Sequence, residues 1–468
     1  MTRASLVAET TGVRSVSIVA SGFAKLAHRS ADIYGVPNLP IAEYPGVIMV
    51  DGTADLHRKA EMLVAQIIEG LATPLQTVVK SAEPKPTDIV CEGTLDEVQD
   101  FFTKRLWTDG LPIRPPTIAK VEEFLRFTDR PRDEVIGVIG LENRESTIWN
   151  IAVNGVMAGC RPEYMPVLIA VVEAIADADF RVHESGGTPG WEPLVVLNGP
   201  IVKDMDFNYE CGVMRVGRQA NSSIGRFLKL YMRNVAGLLT PPESTDKGTI
   251  GYTFNVVLPE NEDVIGALGW EPFSADRGFS RGENVVTVQS ARAITPPIYC
   301  GGNTAKEAME ALVEIFGTTC SYTAYLGLRH RNYHPLLLIS PSIAQVLSKD
   351  GWSKNDVRAY LYKRCQMSVR DLEKWAWRTG HTDFSVSGLV AAGKIPKSYA
   401  ESENPERLVP VFFRADTIGI VVAGDPGRNQ AKGYVHNHRP PVSRRVNLPA
   451  NWPSLVRASQ TDTATILR

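Results

Sequence analysis

Apolar residues along this chain come in short runs separated by turn formers, and their period switches repeatedly between that of a strand and that of a helix. The β-branched run Val16-Ser17-Ile18-Val19 predicts a buried strand from Arg14 to Ala20, and Phe23 to Tyr34 follows as a helix closed by Gly35. Ile41 to Val50 predicts a second strand. Ala54 to Leu71 predicts a second amphipathic helix with Leu56, Met62, Leu63, Ile67 and Ile68 on its apolar side. Strand, helix, strand, helix is the order of a parallel doubly wound sheet. The unit is incomplete, because Ala4 to Thr11 reads as a helix with no strand before it, and about two parallel strands cannot form an independent fold.

The same reading divides the rest of the chain. Lys80 to Asp88 is rich in Pro, Lys and Glu and sits in a linker taken as 80–93. Thr94-Leu95-Asp96-Glu97 is a capping box that starts a helix to about Arg105. Helices are predicted over Met165 to Ala176, Ser223 to Val235, Ala305 to Phe316, Pro341 to Leu347 and Lys354 to Arg364. Strands are predicted over Leu194 to Leu197, Leu336 to Ile339 and Ile418 to Val422. The fold expected is α/β, an incomplete flavodoxin-like parallel sheet over 1–79 followed by a larger mixed α/β (α+β) region. That region divides into a central domain over 94–320, which carries the candidate site, and a C-terminal α/β portion over 321–433. The tail, 434–468, shows no apolar period and is expected to wrap a neighbour or stay mobile.

Charge and cysteine usage narrow the class. Lys plus Arg number 50 against 52 Asp plus Glu, so no long-range field recruits nucleic acid or an anionic membrane. The N-terminus lacks the apolar stretch of a signal peptide, and the run Val167 to Val172 is too short to span a bilayer, which predicts a soluble cytoplasmic protein. The cysteines, Cys91, Cys160, Cys211, Cys300, Cys320 and Cys365, lie far apart and read as reduced thiols, most of them core filler.

The chemistry-bearing residues gather in the central region. Cys160 precedes Arg161-Pro162-Glu163, where Pro and an acid announce a helix start, and a thiol beside a helix N-terminus and a guanidinium is acidified. Packing beside Gly159 is the alternative. Asn150 and Asn154 share a helix face and either orient a ligand or face solvent. Asn198-Gly199-Pro200 ends a strand where α/β folds bind ligands, and is a turn signal as well. Arg218 and Asn221 approach a helix start suited to an anion, whereas Arg226, Lys229 and Arg233 recur at the spacing of a solvated face. His183-Glu184, ahead of Gly186 to Gly190, is a candidate acid/base pair on a flexible segment.

Val16 to Phe23 and Tyr34-Gly35-Val36-Pro37-Asn38-Leu39-Pro40 resemble the UGSC-motif proteins, relatives of the selenoprotein B component of glycine reductase. Trp107 to Pro112, Asn154 to Tyr164 and Arg218 to Arg226 resemble the large region fused to that domain in many bacterial proteins. In those proteins the reactive cysteine or selenocysteine lies in the loop after a first strand, upstream of the helix that begins this chain. The resemblance therefore implies that a second subunit completes the N-terminal sheet and supplies the thiol or selenol. The expected function is a subunit of a hetero-oligomeric enzyme that cleaves or reduces a carbon–heteroatom bond in a small, anionic organic substrate. In that reading Cys160 and Glu163 are catalytic, and Asn154, Asn198, Arg218, Asn221 and Arg226 bind substrate. The alternatives are a metal-dependent lyase or hydratase subunit, with Cys160, Cys211 and His183 as transition-metal ligands, and a non-catalytic scaffold that holds a partner's thiol.

Overall fold

The computed structural model describes residues 2–33, 36–48, 50–74, 87–140, 144–182, 190–239, 251, 253–437 and 439–457. Its N-terminal unit is a parallel pair of strands, Ser17–Ala20 and Ile41–Tyr44, with Ser17 opposite Ile41 and Ala20 opposite Tyr44. Helices Thr2–Thr10, Ala24–Ile33 and Thr53–Ala72 accompany the pair. Two small cores hold it together, one of Leu6, Ala31, Val36 and Leu39 and one of Ala42, Tyr44 and Leu63. The second strand is shorter than its apolar run predicts, because Pro45 removes a ladder donor and Gly46 turns the backbone at φ +111°. Met62 and Ile68, expected on the apolar side of the long helix, are 55% and 63% exposed, and of that set Leu63 alone is buried.

The larger region is built on one mixed sheet. Its strands run in the order Gly419–Val422, Leu336–Ile339, Gln430–His436, Val285–Ile294, Glu192–Asn198 and Leu258–Pro259. The outer pairs are parallel and the inner ones antiparallel. The long strand Val285–Ile294 lies at the centre. Glu192–Asn198 runs along one side of it from Ala291 to Val285, and its other side is shared by Gln430–His436 and by Val442–Arg445. The tail, expected to wrap a neighbour or stay mobile, thus contributes a strand to this chain's own sheet. Residues 442–445 complete the sheet, Val442, Val446 and Trp452 are buried, and 458–468 lie outside the described residues. The sheet takes strands from both sides of position 320, so no separate sheet begins there.

Side chains alternate across the sheet as a pleat requires. Val195 and Leu197 join a core with helices Ile148–Ala158, Met165–Ile175 and Gln219–Asn234, while Leu194 and Val196 face the opposite side with Leu258 and Leu336. A third core gathers helices Pro341–Lys349, Lys354–Arg364 and Val369–Arg378. The predicted cap holds at Thr94–Glu97, and Ser353–Asp356 forms a second capping box; in each the hydroxyl and carboxylate satisfy the free amides reciprocally. Among the described residues no helix is long and apolar enough to cross a membrane.

Candidate functional site

Three of the segments singled out in the sequence meet. Helix Ile148–Ala158 starts at the capping box Thr147–Asn150 and ends at Gly159, whose φ of +79° gives the left-handed C-cap that glycine adopts freely. Cys160 follows, its amide still bonded to the Gly155 carbonyl at 3.0 Å, and the short 3₁₀ turn Pro162–Tyr164 then leads into Met165–Ile175. Helix Gln219–Asn234 crosses this junction, and its Gly225 lets the Asn255–Val256 backbone lie close against the same helix. A Cβ at Gly225 would stand 2.4–2.5 Å from those atoms. Gln219 Nε2 donates to the Gly159 carbonyl at 3.2 Å. Arg226 makes a bidentate pair with Asp109 at 2.9 and 2.8 Å and donates to the Pro112 carbonyl at 2.8 Å, which fixes the Trp107 to Pro112 turn.

The electrostatics of this junction favour the packing reading of Cys160 over the acidified one. The thiol is 1% exposed, and burial pushes it up to about 12, with the Ser223 hydroxyl and the Arg226 guanidinium pulling weakly the other way. It sits at the carboxyl end of one helix, before the N-cap of the next turn, so the helix-start effect that would acidify it is missing. Glu163 is 5% exposed and pairs with Arg161, and its Oε2 is buried without a hydrogen-bond partner. Burial would raise Asp109, but the two Arg226 bonds outweigh it and hold the carboxyl below its ordinary range. Burial raises Tyr164 as well.

The other predicted residues are dispersed. Arg218 is exposed and paired with Asp206 at 2.8 Å. Asn221 is a buried brace: its Oδ1 accepts from the Asn208 amide at 2.8 Å, and its Nδ2 donates to the Asn208 and Val257 carbonyls. The expected solvated face of that helix is corrected too, since Lys229 pairs with Glu192 and Arg233 donates to the Leu106 carbonyl at 2.6 Å. Asn198 ends its strand as predicted. Its Nδ2 donates to Glu260 at 2.8 Å and Glu262 at 3.0 Å, and Glu260 in turn holds Lys354 at 3.1 Å and the Phe273 amide at 2.5 Å. A cleft of about 320 Å³ adjoins this network, lined by Gly199, Tyr209, Glu262 and Arg281 among others. His183 and residues 184–189 lie outside the described residues. Cys211 is exposed, and among the described residues no three His, Cys, Asp or Glu side chains are grouped to hold a metal ion.

Asn154 is the exception, because it faces a cleft of about 1000 Å³. Trp149, Val153 and Met157 recur at i, i+4 on the same helix and, with Asn154, form one wall. Phe102, Trp107, Pro115 and Ile118 form another, and residues 87–93, expected to be linker, close a third side with Cys91 among them. The polar end belongs to Asn154, Asn234 and Arg144. Asn234 Nδ2 donates to Asn154 Oδ1 at 2.8 Å and to the Trp107 carbonyl at 3.2 Å, Asn154 Nδ2 donates to the Asn150 carbonyl at 2.8 Å, and Arg144 donates to the Asn234 carbonyl at 3.4 Å. Asn234 Oδ1 is buried with no hydrogen-bond partner. Ser223 at the junction and Asn234 in the cleft stand eleven residues apart on one helix, about 16 Å along its axis. Cleft and thiol are therefore separate places. The sequence signal for the cleft was the Trp149, Val153, Met157 stripe, which reads equally well as core.

Residues 1–73 match the UGSC family. No curated protein and no solved structure matches the chain.

Proposed function

From the match of residues 1–73 to the UGSC family, we propose that this chain is a subunit of an enzyme that cleaves or reduces a carbon–heteroatom bond in a small organic molecule. The substrate binds in the cleft at Asn154. The observation that carries the reading is the cleft itself: a large concave site with aromatic walls and a few convergent polar groups at one end is the usual form of a small-molecule site. Its amides are held by hydrogen bonds to neighbouring carbonyls, so they meet a ligand already oriented. The reaction class rests on the family resemblance.

In this reading Cys160 positions the helix junction and does not attack substrate, since a thiol raised to about 12 is almost wholly protonated at neutral pH. A second protein subunit covers the N-terminal strands and takes part in the reaction. The two-stranded parallel sheet and the exposed Ile18, Phe23, Met62, Val64 and Ile68 support such a covering partner. The scaffold reading draws on the same burial of Cys160 and differs in leaving the cleft without a role.

The test is a thermal-shift screen of small organic acids and amides on the purified full-length protein. Ligands that stabilise it are then assayed on Asn154→Leu and Cys160→Ala, and by mass spectrometry for loss or exchange of their heteroatom in the presence of co-purifying subunits. Asn154→Leu is expected to lose at least about tenfold in affinity, and Cys160→Ala to bind as wild type. The opposite ranking would return the site to the thiol and sink this reading.

A further inference from the structure

We infer that the cleft takes an elongated amphiphile, with an O–H or N–H head that enters first and an apolar body long enough to reach the mouth. The inference deepens the proposed function and rests on the cleft being the substrate site. The head is specified by a chain of amides at the polar end. A backbone carbonyl can only accept, so the Asn150 carbonyl takes a hydrogen from Asn154 Nδ2 at 2.8 Å, and Asn154 Oδ1 is turned to Asn234. Asn234 must then present its Nδ2, which also meets the Trp107 carbonyl at 3.2 Å. Its Oδ1 is left as an acceptor that no protein hydrogen satisfies. A ligand hydroxyl or N–H supplies that hydrogen. An ether oxygen in the same place leaves the acceptor unpaired, which is costly in a buried setting.

The length of the body follows from how exposure changes along the cleft. Asn154 is buried, and so are Phe102, Trp149 and Met157, which wall the space beside it. The mouth is different in kind, because Ile89, Val90, Leu95 and Ile118 line the same cleft and are 41–68% exposed. A single exposed aliphatic residue is ordinary, but four around one opening make an apolar rim of the sort that marks a binding site. A ligand that stays beside the amides leaves this rim in water. One that runs from the amides to the mouth removes it, and a cleft of about 1000 Å³ has room for such a body.

Cys91 supplies the readout, because it lines the cleft and is partly exposed, and the exposed Cys211, which does not line it, is the internal reference. Alkylation of wild-type, full-length protein by iodoacetamide is followed at both thiols by site-resolved mass spectrometry. The competitors are benzyl alcohol, 4-butylbenzyl alcohol and 4-butylbenzyl methyl ether. The butylated alcohol is expected to protect Cys91 at a concentration lower than benzyl alcohol by at least about tenfold, since each buried methylene is worth about fourfold. The methyl ether should protect about fivefold less well than the alcohol it derives from, the worth of one hydrogen bond. Ile118→Asp removes apolar area from the rim at the first position of its helix, where an acid is well tolerated, and should cut the advantage of the butyl chain at least about threefold. If the butyl chain brings no gain, if the ether protects as well as the alcohol, or if the advantage is undiminished in Ile118→Asp, the ligand class is wrong while the cleft remains the site. If none of the three slows alkylation at Cys91 relative to Cys211, the cleft reading falls and the inference with it.

Discussion

The Cys160 junction and the Asn154 cleft are built on the same two helices and differ in how their polar groups are spent. At the junction, Arg226 is committed to Asp109 and Pro112, Arg161 to Glu163, and Arg218 to Asp206. The thiol between them is closed to water. In the cleft, the walls are apolar, the amides are anchored from behind, and an acceptor is left over. Reactive-looking residue types thus brace the fold, and two asparagines and two tryptophans, unremarkable by type, shape the binding place. Residue chemistry proposes a site; unspent hydrogen-bonding capacity beside open volume locates it.

The comparison breaks first at the junction if its ion pair is not structural. Arg226→Ala leaves the half-buried Asp109 without its partner and frees the 107–112 turn, so equilibrium urea unfolding should show a loss of about 3 kcal/mol. A loss below about 1 kcal/mol would mean that Arg226 is available for substrate after all. Asn154→Leu loses the hydrogen bonds to the Asn150 carbonyl and from Asn234, about 1–2 kcal/mol of stability, and should cost at least about tenfold, roughly 1.4 kcal/mol, in ligand affinity by titration calorimetry. Cys160→Ala removes one sulfur from a packed core and should cost about 1 kcal/mol in the same unfolding experiment, with ligand affinity unchanged.

The smallest effect is the pH dependence of that last difference. The folded state keeps the Cys160 proton up to about 12, whereas an ordinary thiol releases it near 9.0. The unfolded chain therefore binds fewer protons above that point, so the thiol's contribution is fully present below pH 9 and is lost as pH rises towards 12. The stability gap between wild type and Cys160→Ala should narrow as pH is raised from 8 to 10, by on the order of 1 kcal/mol. A gap that stays constant would indicate an accessible thiol with an ordinary pKa, and a gap that widens would indicate an acidic one. His334 runs the other way. Burial lowers it to about 4, so its contribution is present above pH 6.5 and is lost as pH falls through 4, measurable as the acid limb of the stability profile.

Much of the local structure was legible. The strand Leu336–Ile339 and the helix Lys354–Arg364 fall where their residues predict, and so does the cap at Thr94, because each depends on neighbours within about four residues. The central strand Val285–Ile294 was not picked out, nor were its partners Gln430–His436 and Val442–Arg445. Their polar residues, such as Thr287, Gln289, Ser290 and His436, are buried against one another or the backbone and break the apolar alternation that marks a strand.

By itself the sequence determined the α/β character, the parallel pair at the N-terminus and the polar segments worth following. Tertiary structure decided what those segments do. Whether Cys160 is acidified depends on how deeply it is buried and which helix end it meets, and whether Asn154 faces a ligand depends on where residues 87–93 and Asn234 come to lie. Desolvation and long-range pairing are properties of the assembled chain, and no local spacing of residues encodes them.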